Sequence, residues 1–218
     1  MEGIPYSVRR SDRARRIRVN VDAVRGVELV LPRRATEREA QAAVRELSPW
    51  IERRWQEVAR ARAALAARGN TTPYLGQALS VIAQPGRVRV HRRGDTLLVP
   101  DGEEAKPALE RWYRRCAHDE VRERLDRACA EAGVRYTRLT IRGQRTRWAS
   151  CSHSGAMSFN WRLLLAPEPV LGYVVWHEVC HLKVMDHSPR FWRLVARHCP
   201  DHREQSAWLR RHGATLVL

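Results

Sequence analysis

Tyr173-Val174-Val175-Trp176-His177-Glu178-Val179-Cys180-His181-Leu182 is the stretch whose reading decides this chain. It lies within residues 167–183, where Pro167, Glu168 and Pro169 occupy the first turn and an apolar run follows, so the segment predicts a buried helix. Histidines four residues apart on a helix lie about 40° apart around its axis. The imidazoles of His177 and His181 therefore face one point, and neutral imidazole nitrogen suits Zn²⁺. Glu178 is about 100° round from His177. It can stand beside a metal and reach a water as general base. With 9 His in the chain, chance supplies roughly 0.03 such HExxH patterns.

A third histidine, His187, follows where the helix should end and the chain turn back. Catalytic zinc takes three protein ligands and keeps a fourth position open, which His177, His181 and His187 satisfy. His153, His198, His202 and His212 lack a partner at ligand spacing and read as core or surface residues. Glu168, in the first turn, suits the helix dipole without any catalytic role.

Working outward, the 218 residues fit one domain or one with a modest extension, long enough to bury a core without disulfides. No run approaches the ~20 apolar residues of a membrane helix, and the arginine-dense start predicts no secretory leader. Five widely spaced cysteines without a CxxC predict reduced thiols and a cytoplasmic protein. Net charge is +16, with sixteen basic against nine acidic residues in 1–70, eleven against ten in 71–133 and thirteen against five in 134–218. Such an excess favours acidic partners, nucleic acid among them. With only Lys106 and Lys183 as lysines, it is also the signature of a GC-rich genome and an arginine-rich solvated surface.

Residues 15–20 and 26–31 alternate around a turn at 22–26 and predict a hairpin. Thr36-Glu37-Arg38-Glu39 is a capping box opening a helix, which Ser48-Pro49 restarts and Arg68-Gly69-Asn70 stops. Strands are expected at 79–83, 87–91 and 96–99, then a helix from about 101 to Gly133. Further strands are expected at 138–142 and 156–160, and two short helices follow the HExxH helix, one from Ser188-Pro189 to Pro200 and one from Asp201 to Gly213. The class is α+β. Residues 1–100 form a β-rich region with a helical insertion, and 101–218 a catalytic part.

Several linked motifs run in order along the second half: Arg147-Trp148-Ala149-Ser150-Cys151-Ser152, Phe159-Asn160-Trp161-Arg162-Leu163, the HExxH run, Asp186-His187-Ser188-Pro189-Arg190-Phe191-Trp192, Pro200-Asp201 and Trp208-Leu209. Together they resemble the YgjP-like zinc metallopeptidases, relatives of SprT-like and WLM proteins. The basic hairpin ending in Leu31-Pro32, the Trp50-Ile51 helix and Tyr74-Leu75-Gly76 extend the likeness more loosely towards the N-terminus. The resemblance implies a zincin-like catalytic part, its HExxH helix beside a small antiparallel sheet, with zinc on His177, His181 and His187 and Glu178 as base. Ala149 stands where the family usually has Gly, and Asp186 where Asn is commoner. Asp186 either orients a ligand imidazole or caps the following helix.

Residues 147–151 read as a loop. Arg147 is a candidate for binding a substrate carboxylate or phosphate, with Ser150 and Cys151 as polar lining; alternatively the segment is a structural clasp around Trp148. The resemblance further implies that the strand beside the active helix receives an extended substrate, so Asn160 is a candidate backbone contact, or else a turn residue. The leading expectation is a zinc metallopeptidase acting on polypeptide. The rivals are a metal-dependent nucleotide pyrophosphatase, a nucleic-acid-associated protease of SprT-like type, and a nucleic-acid-binding protein with structural zinc. No membrane partner is expected, and a monomer is slightly favoured.

Overall fold

The computed structural model describes residues 6–22, 26–144 and 147–218. The chain divides into two compact units, Met1–Ala67 and Arg68–Leu218.

In the first unit, strands β1 (Tyr6–Ser11), β2 (Arg18–Asp22) and β3 (Gly26–Pro32) form a sheet in the order β1-β3-β2. The expected hairpin is β2 and β3; residues 23–25 of its turn lie outside the described residues. β1 joins β3 in parallel. Leu29 and Leu31 project to one side of β3 and are sealed by Ala40 and Val44 of helix α1 (Glu37–Ala67). The capping box forms as anticipated: Glu39 Oε2 accepts from the Thr36 amide at 2.7 Å, and Thr36 Oγ1 accepts from the Glu39 amide at 3.2 Å. Pro49 does not restart the helix, which runs through it. Val44 and Ile51, two turns apart and both buried, keep the apolar stripe in phase across the proline. Their burial offsets the roughly 3 kcal/mol an interior proline costs.

The unit boundary falls after Ala67 rather than near residue 100. Strands β4 (Thr71–Tyr74), β5 (Gln77–Ala83), β6 (His91–Arg93) and β7 (Thr96–Val99), in the order β4-β5-β7-β6, belong to the second unit. Their buried Tyr74, Leu79, Leu97 and Val99 share one core with Trp112, Tyr113 and Leu125 of helix α2 (Ala105–Ala132). β4 was not anticipated; Pro73, which has no amide to donate, is tolerated because β4 is an edge strand. The strand expected at 87–91 lies at His91–Arg93 instead. Arg87 is held in a turn, its amide on the Gln84 carbonyl at 3.3 Å and its guanidinium on Gln84 Oε1 at 2.7 Å.

Gly133, in the left-handed region at φ 65°, ends α2. Strands β8 (Arg138–Arg142), β9 (Ala149–Cys151) and β10 (Ala156–Asn160) form the sheet β8-β10-β9. This sheet is mixed rather than antiparallel. The tight turn through Gly155 makes β10 antiparallel to β9, and the chain thereby returns to run parallel to β8. A buried 3₁₀ turn, Trp161–Leu165, leads into α3 (Glu168–His181), followed by α4 (Pro189–His198) and α5 (His202–His212). Among the described residues no helix is long and apolar enough to cross a membrane.

Candidate metal centre

Helix α3 buries Val170, Leu171, Val174, Val175 and Val179 in the core. That leaves His177 and His181 on the face pointing towards the chain reversal after the helix. His181 Nδ1–H donates to the Val184 carbonyl at 3.1 Å. This bond sets the tautomer, so His181 Nε2 carries only a lone pair. Asp186 Oδ1 accepts from the Ser188 amide at 3.1 Å, turning the chain into α4. Of the two readings for Asp186, the geometry matches the cap, and the turn it makes presents His187.

The three imidazoles meet. His177 Nε2 lies 3.2 Å from His181 Nε2 and 3.1 Å from His187 Nε2. One nitrogen from each ring falls within 4.8 Å of the others, the one such group of three among the described residues. Beneath them lies the fully buried Phe191 of α4, its ring centroid 4.9, 4.4 and 4.9 Å from those of His177, His181 and His187. Burial, then the neighbouring imidazoles, push His177 down to about 3, so the ring is neutral at ordinary pH. Burial likewise lowers His181.

Three converging imidazole nitrogens, of which His181 Nε2 offers a lone pair, make a donor set for a cation. Zinc bound tetrahedrally at about 2.0–2.1 Å would separate its nitrogen ligands by about 3.3–3.4 Å, close to the spacing found. The donor set fits the metal. Glu178 adds to the fit: it is buried, its carboxyl pushed up to about 8 by burial against a hydrogen bond from the Cys151 amide, and its Oε2 has no partner. A buried carboxylate oxygen without a partner signals a missing group beside it.

A cavity of about 350 Å³ opens against this cluster, lined by Arg147, Trp148, Ala149, Tyr173, Val174, His177, Glu178, Ser206, Leu209 and Arg210. Of the residues singled out from sequence, Arg147 reaches this wall, but Ser150 and Asn160 do not. Ser150 Oγ bonds Ser158 Oγ across the β9–β10 pair at 2.9 Å. Asn160 is buried; its Nδ2 donates to the carbonyls of Gln144 at 2.6 Å and Arg147 at 3.3 Å, and its Oδ1 accepts from the Arg162 amide at 3.1 Å. It holds the carbonyls on either side of the stretch before Trp148, and both of its amide hydrogens are used there. β10 is the central strand of its sheet, so the edge beside α3 is β9, within the stretch expected to be loop.

Cys151 is not among the clustered ligands, and its thiol lies 3.5 Å from the Ser152 carbonyl. His198 bonds Glu131 at 2.9 Å and stacks on Trp176, and His202 bonds the Cys199 carbonyl. Tyr173, Phe191, Ser206 and Arg210 were not anticipated as site residues. Tyr173 had a usable signal, one helical turn before His177 on the same face; the others are brought in by α4 and α5.

The sequence profile of the YgjP-like family, described as a metallopeptidase domain, matches residues 15–212. No curated protein matches this chain. The chain is similar to the crystal structure of the metallopeptidase zymogen abylysin of Pyrococcus abyssi, with 25% identity and a TM-score of 0.36 over 42% of this chain and 96% of that one. It is also similar to the metallopeptidase zymogen jannalysin of Methanocaldococcus jannaschii, with 15% identity and a TM-score of 0.35 over 40% and 93%.

Proposed function

Since the chain belongs to the YgjP-like metallopeptidase family, we propose that it is a zinc-dependent peptidase with His177, His181 and His187 as ligands and Glu178 as general base. The observation that carries this reading is the partnerless, buried Glu178 Oε2 next to three converged imidazoles. Zinc held there supplies Lewis acidity and lowers the pKa of bound water. Glu178 accepts the proton of the attacking water and returns it to the leaving amine. The Cys151 amide holds the carboxylate in place from β9. An extended polypeptide would add to the free edge of β9, where main-chain groups give affinity without demanding a sequence. His181 stays in its ligating tautomer through Val184, and Phe191 excludes water from under the rings.

Glu178→Gln is the test. It is nearly isosteric but cannot accept a proton, so it should retain about one zinc per chain while cleavage of a denatured protein falls by at least ~10². Loss of zinc would place Glu178 among the ligands. Hydrolysis of nucleoside triphosphates that depends on Glu178, with no proteolysis by wild type, would replace the peptidase reading.

A further inference from the structure

The cavity beside the histidines carries two guanidinium groups and one carboxylate, from Arg147, Arg210 and Glu178. Glu178 is committed to the catalytic water in the reading above. Neither arginine has a carboxylate within ion-pair distance among the described residues. Arg210 sits in the last turn of α5 and donates one bond, Nη1 to Ser206 Oγ at 2.8 Å. Ser206 lines the cavity with Tyr173, whose hydroxyl feels the positive charge of Arg210. Arg210 is thus tied to the wall one helical turn from the ligand His177. Arg147 reaches the same cavity, its backbone carbonyl held by Asn160. Trp148, Ala149, Val174 and Leu209 supply apolar surface between them.

A pocket with an apolar body and two guanidiniums without a carboxylate partner among the described residues suits a short aliphatic stem ending in a carboxylate. Resting on the peptidase reading, we propose that Arg147 and Arg210 form a specificity subsite for a substrate carboxylate, either an acidic side chain or a chain end.

Binding is measured on zinc-loaded Glu178→Gln protein, which does not turn over, by calorimetry. The probes are N-acetylglutamate α-amide (side-chain carboxylate only), N-acetylglutamine (chain-end carboxylate only), N-acetylglutamine α-amide (neither) and inorganic triphosphate. One of the two monocarboxylates should bind at least ~10-fold more tightly than the neutral diamide, the strength of a charge-assisted pair, and so identify the carboxylate's source. Arg210→Gln and Arg147→Gln should each remove most of that margin, and Arg210→Lys, which keeps the charge, should retain part of it. Equal binding of all three amino-acid probes overturns the subsite. So does a margin that survives both arginine variants, which would mark coordination to the metal, and so does arginine-dependent binding of triphosphate alone. Parallel digestion of a denatured protein separates the two readings. Cleavage with no carboxylate margin leaves the peptidase and removes the subsite; a carboxylate margin without cleavage by wild type leaves the subsite and removes the peptidase.

Discussion

In the unit ending at Ala67, Leu29 and Leu31 of a three-stranded sheet meet Ala40 and Val44 of one helix, and the opposite face carries the buried Val30 among exposed arginines. There Arg9, Val30 and Arg18 sit side by side on three strands, and with Arg13, Ser11 and Asn20 they border a hollow of about 170 Å³. In the unit beginning at Arg68 one continuous core reaches from Tyr74 to Leu216, and the polar groups that matter are buried in it: Glu178 and His181 at the centre, Asn160 behind them. Both units are rich in arginine, but they use it differently. In the first it lies on a solvated face, where each guanidinium is screened and weakly held. In the second Arg147 and Arg210 stand against a pocket whose walls are fixed by packing. Arg147 and Arg210 are exposed like Arg9, Arg13 and Arg18, so what differs is the apolar cleft wall beside them, which focuses their field.

The contrast breaks most visibly at the ligands. His187→Ala removes one of three nitrogens, and we expect the bulk of the zinc to be lost on dialysis while far-UV circular dichroism is retained, since His187 is exposed. Zinc bound as tightly as in wild type would mean that another group completes the site. Core truncations in the two units sharpen the comparison next. Phe191→Ala should cost about 3–5 kcal/mol in denaturant titration and weaken zinc binding, because the floor under all three rings is removed. Leu29→Ala should cost about 2–5 kcal/mol yet leave zinc affinity unchanged. Equal effects of both on zinc would show the two units to be energetically coupled.

A smaller effect is expected at Gly213. A Cβ there would lie 2.8 Å from Trp148 Cζ2, so the indole that lines the cavity must move. Gly213→Ala should cost about 1–3 kcal/mol and shift the Trp148 fluorescence, with the zinc retained. Smallest is the effect on the arginine face of the first unit. We propose that it contacts nucleic-acid phosphates. Duplex binding should then weaken as salt rises, and Arg13→Glu with Arg18→Glu should reduce the log–log slope by about 0.9 per lost phosphate contact. No binding at low salt would leave these residues as a solvated surface.

Helical spacing made the HExxH pair and its base readable, because i and i+4 side chains share a face whatever surrounds the helix. The capping box at Thr36 and the stop at Gly133 were readable for the same reason: each is satisfied by atoms within a few residues. His187 followed from the ligand count zinc requires, and the fold brings its Nε2 to 3.1 Å from that of His177. Where a local rule met a tertiary demand, the tertiary demand prevailed. Pro49 should restart a helix, but burial of Val44 and Ile51 carries α1 through it.

The sequence by itself determined the α+β class and the constellation of three histidines with Glu178, both of which rest on periodicity and on the properties of side chains close together in the chain. Only the tertiary structure decided what surrounds that constellation. It placed β9 rather than β10 at the open edge, bound Asn160 into the loop, put Phe191 under the imidazoles, and brought Arg210 of α5 to the same cavity as Arg147. These juxtapositions join residues from separate strands and helices, and a contact of that kind leaves no periodic trace in either segment.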